Sequence, residues 1–338
     1  MRTFKRCLLV GALAISSTFS GLSLAADNYP SRDINAIIQW GAGGLTDIVT
    51  RRVAPLVEEE LGRKIIATNR TGGSGVVGAN FVLQQPANGY TLLVASESQS
   101  LFRLNGLAAF DFNEFTPINI LMTSDSVVLV ANNKVPADNF AELAKYVAEN
   151  PRKIKQYSPG LGTTGFSANA MLATQTSFET TMVPFDGDGP ALAAIQGGHI
   201  DIGMMALNSA SDHIKAGRVK ALGVINTQPA GDIPSLVTDM PGLEKYLPWG
   251  SWIGVFVRKD TPEPIKEKLI EAFHNAAATP EYGAFITQNG GRLLNLSGQA
   301  AQDFMDNWQS TTAWLYEEVG ASKVSPDSLG IPKPAYLQ

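Results

Sequence analysis

Residues 34–51 read INAIIQWGAGGLTDIVTR, and this stretch constrains the fold more than any other. The apolar run Ala36-Ile37-Ile38 breaks at Gly41-Ala42-Gly43-Gly44, and an amphipathic segment begins near Thr46-Asp47. The pattern predicts a strand, a glycine loop and a helix in succession. Glycines let a backbone approach a bound group closely, and a helix N-terminus presents unpaired N–H groups that favour an anion. The same unit recurs at residues 155–175, KQYSPGLGTTGFSANAMLATQ, where hydroxyls take the N-cap positions. Two such units predict two α/β halves whose loops face one another across a cleft.

The N-terminus reads as an export signal. Arg2, Lys5 and Arg6 form a positive region, and residues 7–15 (CLLVGALAI) form an apolar core too short to span a bilayer. Ser23-Leu24-Ala25 supplies small residues for cleavage before Ala26, which predicts a periplasmic protein. Cys7, the single cysteine, lies inside this segment. The mature chain therefore has no disulfide, thiol nucleophile or cysteine metal site. The formal net charge is −5, and loss of Arg2, Lys5 and Arg6 takes it to −8. A mildly acidic chain without a basic run argues against nucleic-acid binding. No later stretch reaches about 18 continuous apolar residues, so no membrane span is expected.

Short apolar runs alternate with amphipathic ones along the chain. Strands are expected at 36–40, 64–68, 91–96, 127–131, 155–158, 181–185, 200–205, 219–226 and 252–257. Helices are expected at 48–61, 75–85, 139–149, 167–175, 191–195, 264–278, 280–289 and 300–319. The alternation predicts an α/β fold with largely parallel sheets. Trp249 and Trp252 are expected to pack where the chain crosses between halves, and Trp308 and Trp314, on one helix, in the core.

Other chemistries find less support. Gly160-Leu161-Gly162-Thr163-Thr164-Gly165 matches a dinucleotide pattern, with Asp186 following 21 residues after Gly165. Gly73-Ser74-Gly75-Val76-Val77-Gly78 matches its glycines too, in a chain of 32 glycines, and an exported protein has no ready supply of free nicotinamide cofactor. His199, His213 and His274 have no partner at metal-ligand spacing. No G-x-S-x-G elbow occurs. Ser96, Ser98 and Ser158 sit at strand ends, where a nucleophile could sit, but no base can be placed beside them. Trp40 and Phe185 lie where ligands of open α/β sheets bind, outside the carboxyl ends of strands. Asp47 reads both as a first-turn helix acid and as a cleft acid. Asp186 reads both as a cleft acid and as a group ordering the Gly187–Gly189 turn.

Taken in order, several segments resemble the Bug-type solute receptors, the substrate-binding proteins of tripartite tricarboxylate transporters. They are Tyr29-Pro30-Ser31-Arg32, Gly41-Ala42-Gly43-Gly44-Leu45-Thr46-Asp47, Asn88-Gly89-Tyr90-Thr91-Leu92-Leu93 and Ser158-Pro159-Gly160-Leu161-Gly162-Thr163. Val183-Pro184-Phe185-Asp186-Gly187, Gly197-Gly198-His199-Ile200-Asp201, Trp252-Ile253-Gly254, Thr261-Pro262 and Gly330-Ile331-Pro332 continue the series. The resemblance covers essentially the whole mature chain. It implies a two-lobed periplasmic binding protein of type II-like form, with mainly parallel sheets and two interlobe crossovers. Lobe one would hold residues 27–122 and 246–338, and lobe two residues 123–245. The implied protein is not an enzyme and needs no cofactor or metal. It would be a monomer that binds a di-, tri- or aromatic carboxylate and delivers it to large and small permease subunits. The implied ligand residues are Trp40, Gly43, Gly44, Leu45, Thr46, Asp47 and Ser96 from lobe one. From lobe two they are Ser158, Gly162, Thr163, Thr164, Phe185 and Asp186. Many relatives carry proline and phenylalanine at Gln39-Trp40, and tyrosine and lysine at Phe185-Asp186. The second departure puts an acid where a cation would meet a distal ligand carboxylate. A receptor feeding a sensor kinase, or a hydrolase acting from Ser158 or Ser96, are the alternative readings.

Overall fold

The computed structural model describes residues 28–338, apart from Asp125 and Asp186. The expected signal segment and Asp186 lie outside the described residues. Every expected strand falls in one of two sheets. The first has the order β11-β4-β10-β3-β1-β2. Its strands are β1 (Ile34–Ile38), β2 (Ile65–Asn69), β3 (Thr91–Ser96), β4 (Phe115–Ser124), β10 (Ser251–Arg258) and β11 (Arg292–Leu296). The second has the order β7-β6-β8-β5-β9. Its strands are β5 (Val127–Ala131), β6 (Lys155–Ser158), β7 (Thr181–Pro184), β8 (Ile202–Ala206) and β9 (Lys220–Ile225). Each sheet with its helices forms one lobe.

The sheets are mixed, which corrects the expectation of mainly parallel ones. β1 runs parallel to β2 and β3, and β6 parallel to β7 and β8. β10 is antiparallel to β3 and β4, and β5 is antiparallel to β8 and β9. β5 and β10 are the first strands after the two crossings. Each enters its sheet at the cleft edge, where strands such as β3 and β8 end, and so must run against them: Ile253 pairs with Ser96, and Val127 with Ala206.

Three elements escaped the sequence pattern: β4, β11 and the helix Leu207–Lys215. β4 carries Pro117, which argues against a central strand. The proline is tolerated because β11 pairs with β4 only from Ile120 onwards, leaving that flank of Pro117 without a ladder partner.

Strand side chains alternate between two packed faces. Ile34, Ala36, Ile38, Leu92 and Val94 pack with Val49, Val53 and Val57 of α1 (Leu45–Leu61) on one face. Ile37, Leu93 and Ala95 face the other way. Strands buried on both faces read as continuous apolar runs, and these do. The second group belongs to a core that continues into the other lobe through Val127, Leu129, Ala168 and Met171. Trp252, Trp308 and Tyr316 lie in the same core, the last two on the long helix Gly298–Glu318. Among the described residues no helix is long and apolar enough to cross a membrane.

Candidate ligand-binding cleft

β1 ends beneath a turn closed by Gly44 N–H donating to the Gly41 carbonyl. Gly43 sits at φ 78°, a left-handed conformation suited to glycine. Gly43 and Gly44 are exposed, Leu45 is half-buried, and Thr46 and Asp47 are buried at the start of α1. Asp47 braces the loop. Its Oδ2 accepts from Gly43 N–H at 2.9 Å, and its Oδ1 accepts from Arg51 Nε at 2.8 Å and Asn69 Nδ2 at 2.9 Å. Asn69 also donates to the Trp40 carbonyl at 2.9 Å. Burial pushes the Asp47 carboxyl up, but the bonds from Gly43, Asn69 and Arg51 outweigh it and hold it below the usual carboxylate value. Both carboxylate oxygens are thus engaged in shaping the loop.

The partner loop follows β6. Thr163 is the N-cap of α4, the helix Thr164–Ala173 that is the fourth in chain order after Val76–Leu83 and Phe140–Glu149. Its hydroxyl donates to the Gly160 carbonyl at 2.8 Å and accepts from Phe166 N–H at 3.4 Å. Removing this cap with Thr163→Val is expected to destabilise the fold by about 1 kcal/mol, measured by urea denaturation. Gly165 has no room for a side chain, since a Cβ there would lie 2.6 Å from the Met204 carbonyl oxygen. Ser158 is half-buried. Phe185 is half-buried too, packing edge-on to Tyr157 with ring centres 6.4 Å apart.

Between the two loops lies a polar turn, residues 97–101, at the end of β3. Trp40 Nε1 donates to Ser96 Oγ at 2.9 Å, Ser96 Oγ lies 3.4 Å from Ser98 Oγ, and Ser98 Oγ donates to the Ser74 carbonyl at 3.2 Å. This run of hydroxyls leads from Trp40 to the partner loop. A Cβ on Gly162 would sit 3.3 Å from both the Ser98 carbonyl oxygen and Asn105 Nδ2. Asn105 is fully buried. The lobes also touch at Glu97, whose Oε1 accepts from Thr164 Oγ1 at 2.7 Å. A further seam contact brings Gly290 against Asn208, 3.3 Å from a Cβ built on the glycine.

Of the expected residues, Trp40 and Ser96 therefore meet directly, and Gly162 and Thr164 abut lobe one. Glu97, Asn105 and Ser74 were not anticipated here, and Ser98 was noted only as a strand-end serine. The sequence did carry a signal: Ser96-Glu97-Ser98-Gln99-Ser100 puts five polar residues directly after an apolar strand, at the edge where α/β sheets bind ligands.

Two acids near the cleft are perturbed. Burial pushes Glu97 up to about 7, against opposing bonds from Thr164, Trp252 N–H and Ser96. Burial pushes Asp188 up to about 6, against bonds from Ala206 N–H, Ser209 and Tyr157. Both groups bind protons more tightly folded than unfolded. The cost of ionising them is absent below about pH 4, builds up through pH 6–7 and is complete above that. The melting temperature is expected to fall between pH 5 and pH 8, and Asp188→Asn should flatten part of that slope in thermal unfolding.

A concavity of about 290 Å³ opens beside Ser100, Arg103, Asp111, Lys259 and Gln309. Its arginine is spent on Asp111 at 2.6 Å. Among the described residues no group of three His, Asp or Glu side chains is placed to hold a metal.

The sequence profile described as Tripartite tricarboxylate transporter family receptor matches residues 49–320. The chain belongs to that family. A UPF0065 protein of Bordetella pertussis is 29% identical over 322 residues, covering 95% of this chain and 99% of the relative. BugT of the same organism is 26% identical, covering 81% and 89%. Among solved structures, the periplasmic binding protein BugD is similar with a TM-score of 0.79 and 25% identity, over 87% of this chain and 99% of BugD. MatC of Rhodopseudomonas palustris, solved with bound malate, gives 0.76 and 26% over 86% and 100%. As a member of this family the chain is a two-lobed solute-binding protein and not an enzyme. This overturns the hydrolase alternative.

Proposed function

We propose that this receptor captures a small organic carboxylate between its lobes in the periplasm and hands it to the large and small membrane subunits of a tripartite transporter. The observation that carries this reading is the pairing of two glycine-bearing helix starts, one per lobe. Gly43 and Gly44 open α1, and Gly162, Thr163 and Thr164 open α4. Neither lobe encloses a ligand alone, so binding favours the form in which they meet. Malate in MatC supports the carboxylate class. Affinity would rest on N–H and hydroxyl donors, because Arg51 is already shared between Asp47 and Asn69. Trp40 and Phe185 would flank the ligand's apolar body, and Leu45, Thr46, Ser96 and Ser158 would complete the first contacts.

Titration calorimetry with malate, citrate and benzoate tests this reading. One-to-one binding of at least one acid is expected, and no heat from any of the three, with a folded protein, would overturn it.

A further inference from the structure

We propose that Glu97 is a proton-sensitive latch on the closure of the cleft: carried by lobe one, it holds Thr164 of lobe two, and the closed form takes up a proton. The inference rests on the reading above that the lobes open and close.

The geometry is specific. Glu97 is 4% exposed, and its two oxygens are shared between the lobes and the second crossing. Oε1 accepts from Thr164 Oγ1 at 2.7 Å, at the first turn of α4. Oε2 accepts from Trp252 N–H at 3.3 Å, where the chain has just returned to lobe one. No ion pair among the described residues includes Glu97. The elements packed around it supply no compensating cation. α4 has no charged residue, and β3 has none. β10 carries only Arg258, at its far end and paired with Asp260. On the helix Gly298–Glu318, Tyr316 is the titratable group that feels the Glu97 charge, and its neutral hydroxyl is bonded to Ser167 Oγ at 2.8 Å. Glu318 on that helix pairs with Lys245. Arg103, just past the 97–101 turn, pairs with Asp111.

A carboxylate in this position is removed from water without a counter-charge, which disfavours its ionised form. Separating the lobes takes Thr164 away and admits water. The open form therefore releases the proton more readily, and closure is favoured as pH falls. The neutral acid keeps both contacts on closing: its O–H donates to Thr164 Oγ1, whose own hydrogen turns away from Glu97, and its carbonyl oxygen still accepts from Trp252 N–H. With the closed-state value near 7, against 4.5 for a solvated glutamate, the closing equilibrium shifts about tenfold between pH 8 and pH 6.

The test uses the ligand-free mature chain and Glu97→Gln, a mimic of the protonated acid. Small-angle scattering should show the wild type expanding between pH 6 and pH 8 and the variant compact throughout. Calorimetry with malate near pH 7, in buffers of different ionisation enthalpy, should show proton uptake by the wild type and none by the variant. Circular dichroism verifies that the variant folds, and the carboxyl ¹³C resonance lost in it reports the Glu97 titration directly in the wild type. A wild-type radius independent of pH, or a Glu97 resonance titrating near 4.5, overturns the latch. Failure of malate to bind would exclude malate as the acid and leave the scattering result to decide the latch. Malate binding without proton uptake, at constant radius, would sink the latch and keep the receptor.

Discussion

Asp47→Ala is expected to weaken malate binding by tenfold or more and to lower stability by about 2–4 kcal/mol, since hydrogen bonds to a charged group contribute about 1.5–3 kcal/mol each. The carboxylate ties together the Gly43 N–H, the Arg51 guanidinium and the Asn69 amide. Alanine would release all three from one point. The loop between residues 41 and 44 is glycine-rich, and without its brace it would sample many conformations that a bound anion must then select against. Asp47→Asn should recover part of the loss, because an amide oxygen still accepts from Gly43 but forms no ion pair with Arg51. Urea denaturation and calorimetry separate the two effects. If stability falls while affinity holds, the glycine loop is not where the carboxylate binds.

Trp252→Ala should be the most destabilising single change at the crossing, by about 3–5 kcal/mol as for other buried aromatic truncations. The indole is fully buried. It packs against Phe112, Phe256, Phe304 and Trp308, with ring centres 5.4–6.4 Å away. Trp308 is stacked in turn on Trp249 at 5.7 Å. Trp252→Phe keeps much of the contact area and should cost less. A midpoint in urea within error of the wild type for the alanine variant would show that this aromatic cluster is not what holds the crossing.

Much of the fold was legible because its strands are short apolar runs ended by glycine or polar residues, and its helix starts are chemically explicit. Thr163 was readable as a cap, and Trp249 and Trp252 as packing at a crossing, from their neighbours alone. The strand β4 was not readable, since Pro117 masks its period, and the helix Leu207–Lys215 was not, since its sequence is mostly polar. Strand direction was also beyond the pattern: an apolar run looks the same whether it enters a sheet with or against its neighbours. At the cleft, the glycine loops announced themselves through composition. Glu97 did not, because its significance depends on Thr164, 67 positions later in the chain, and on the absence of a cation that only packing in three dimensions can arrange. Asp47 was legible as a helix acid, yet its work in holding Gly43 depends on Asn69 from the next strand.

The core that runs unbroken from the first sheet into the second has a thermodynamic consequence. The helix Gly298–Glu318 touches both lobes, bonding Trp249 through Thr312 and Ser167 through Tyr316. Lobe two cannot melt without stripping that helix of one flank, and lobe one cannot melt without losing the same helix altogether. The two halves are separate in outline but meet on one helix and one core, so a single cooperative unfolding transition is expected for the pair in calorimetry.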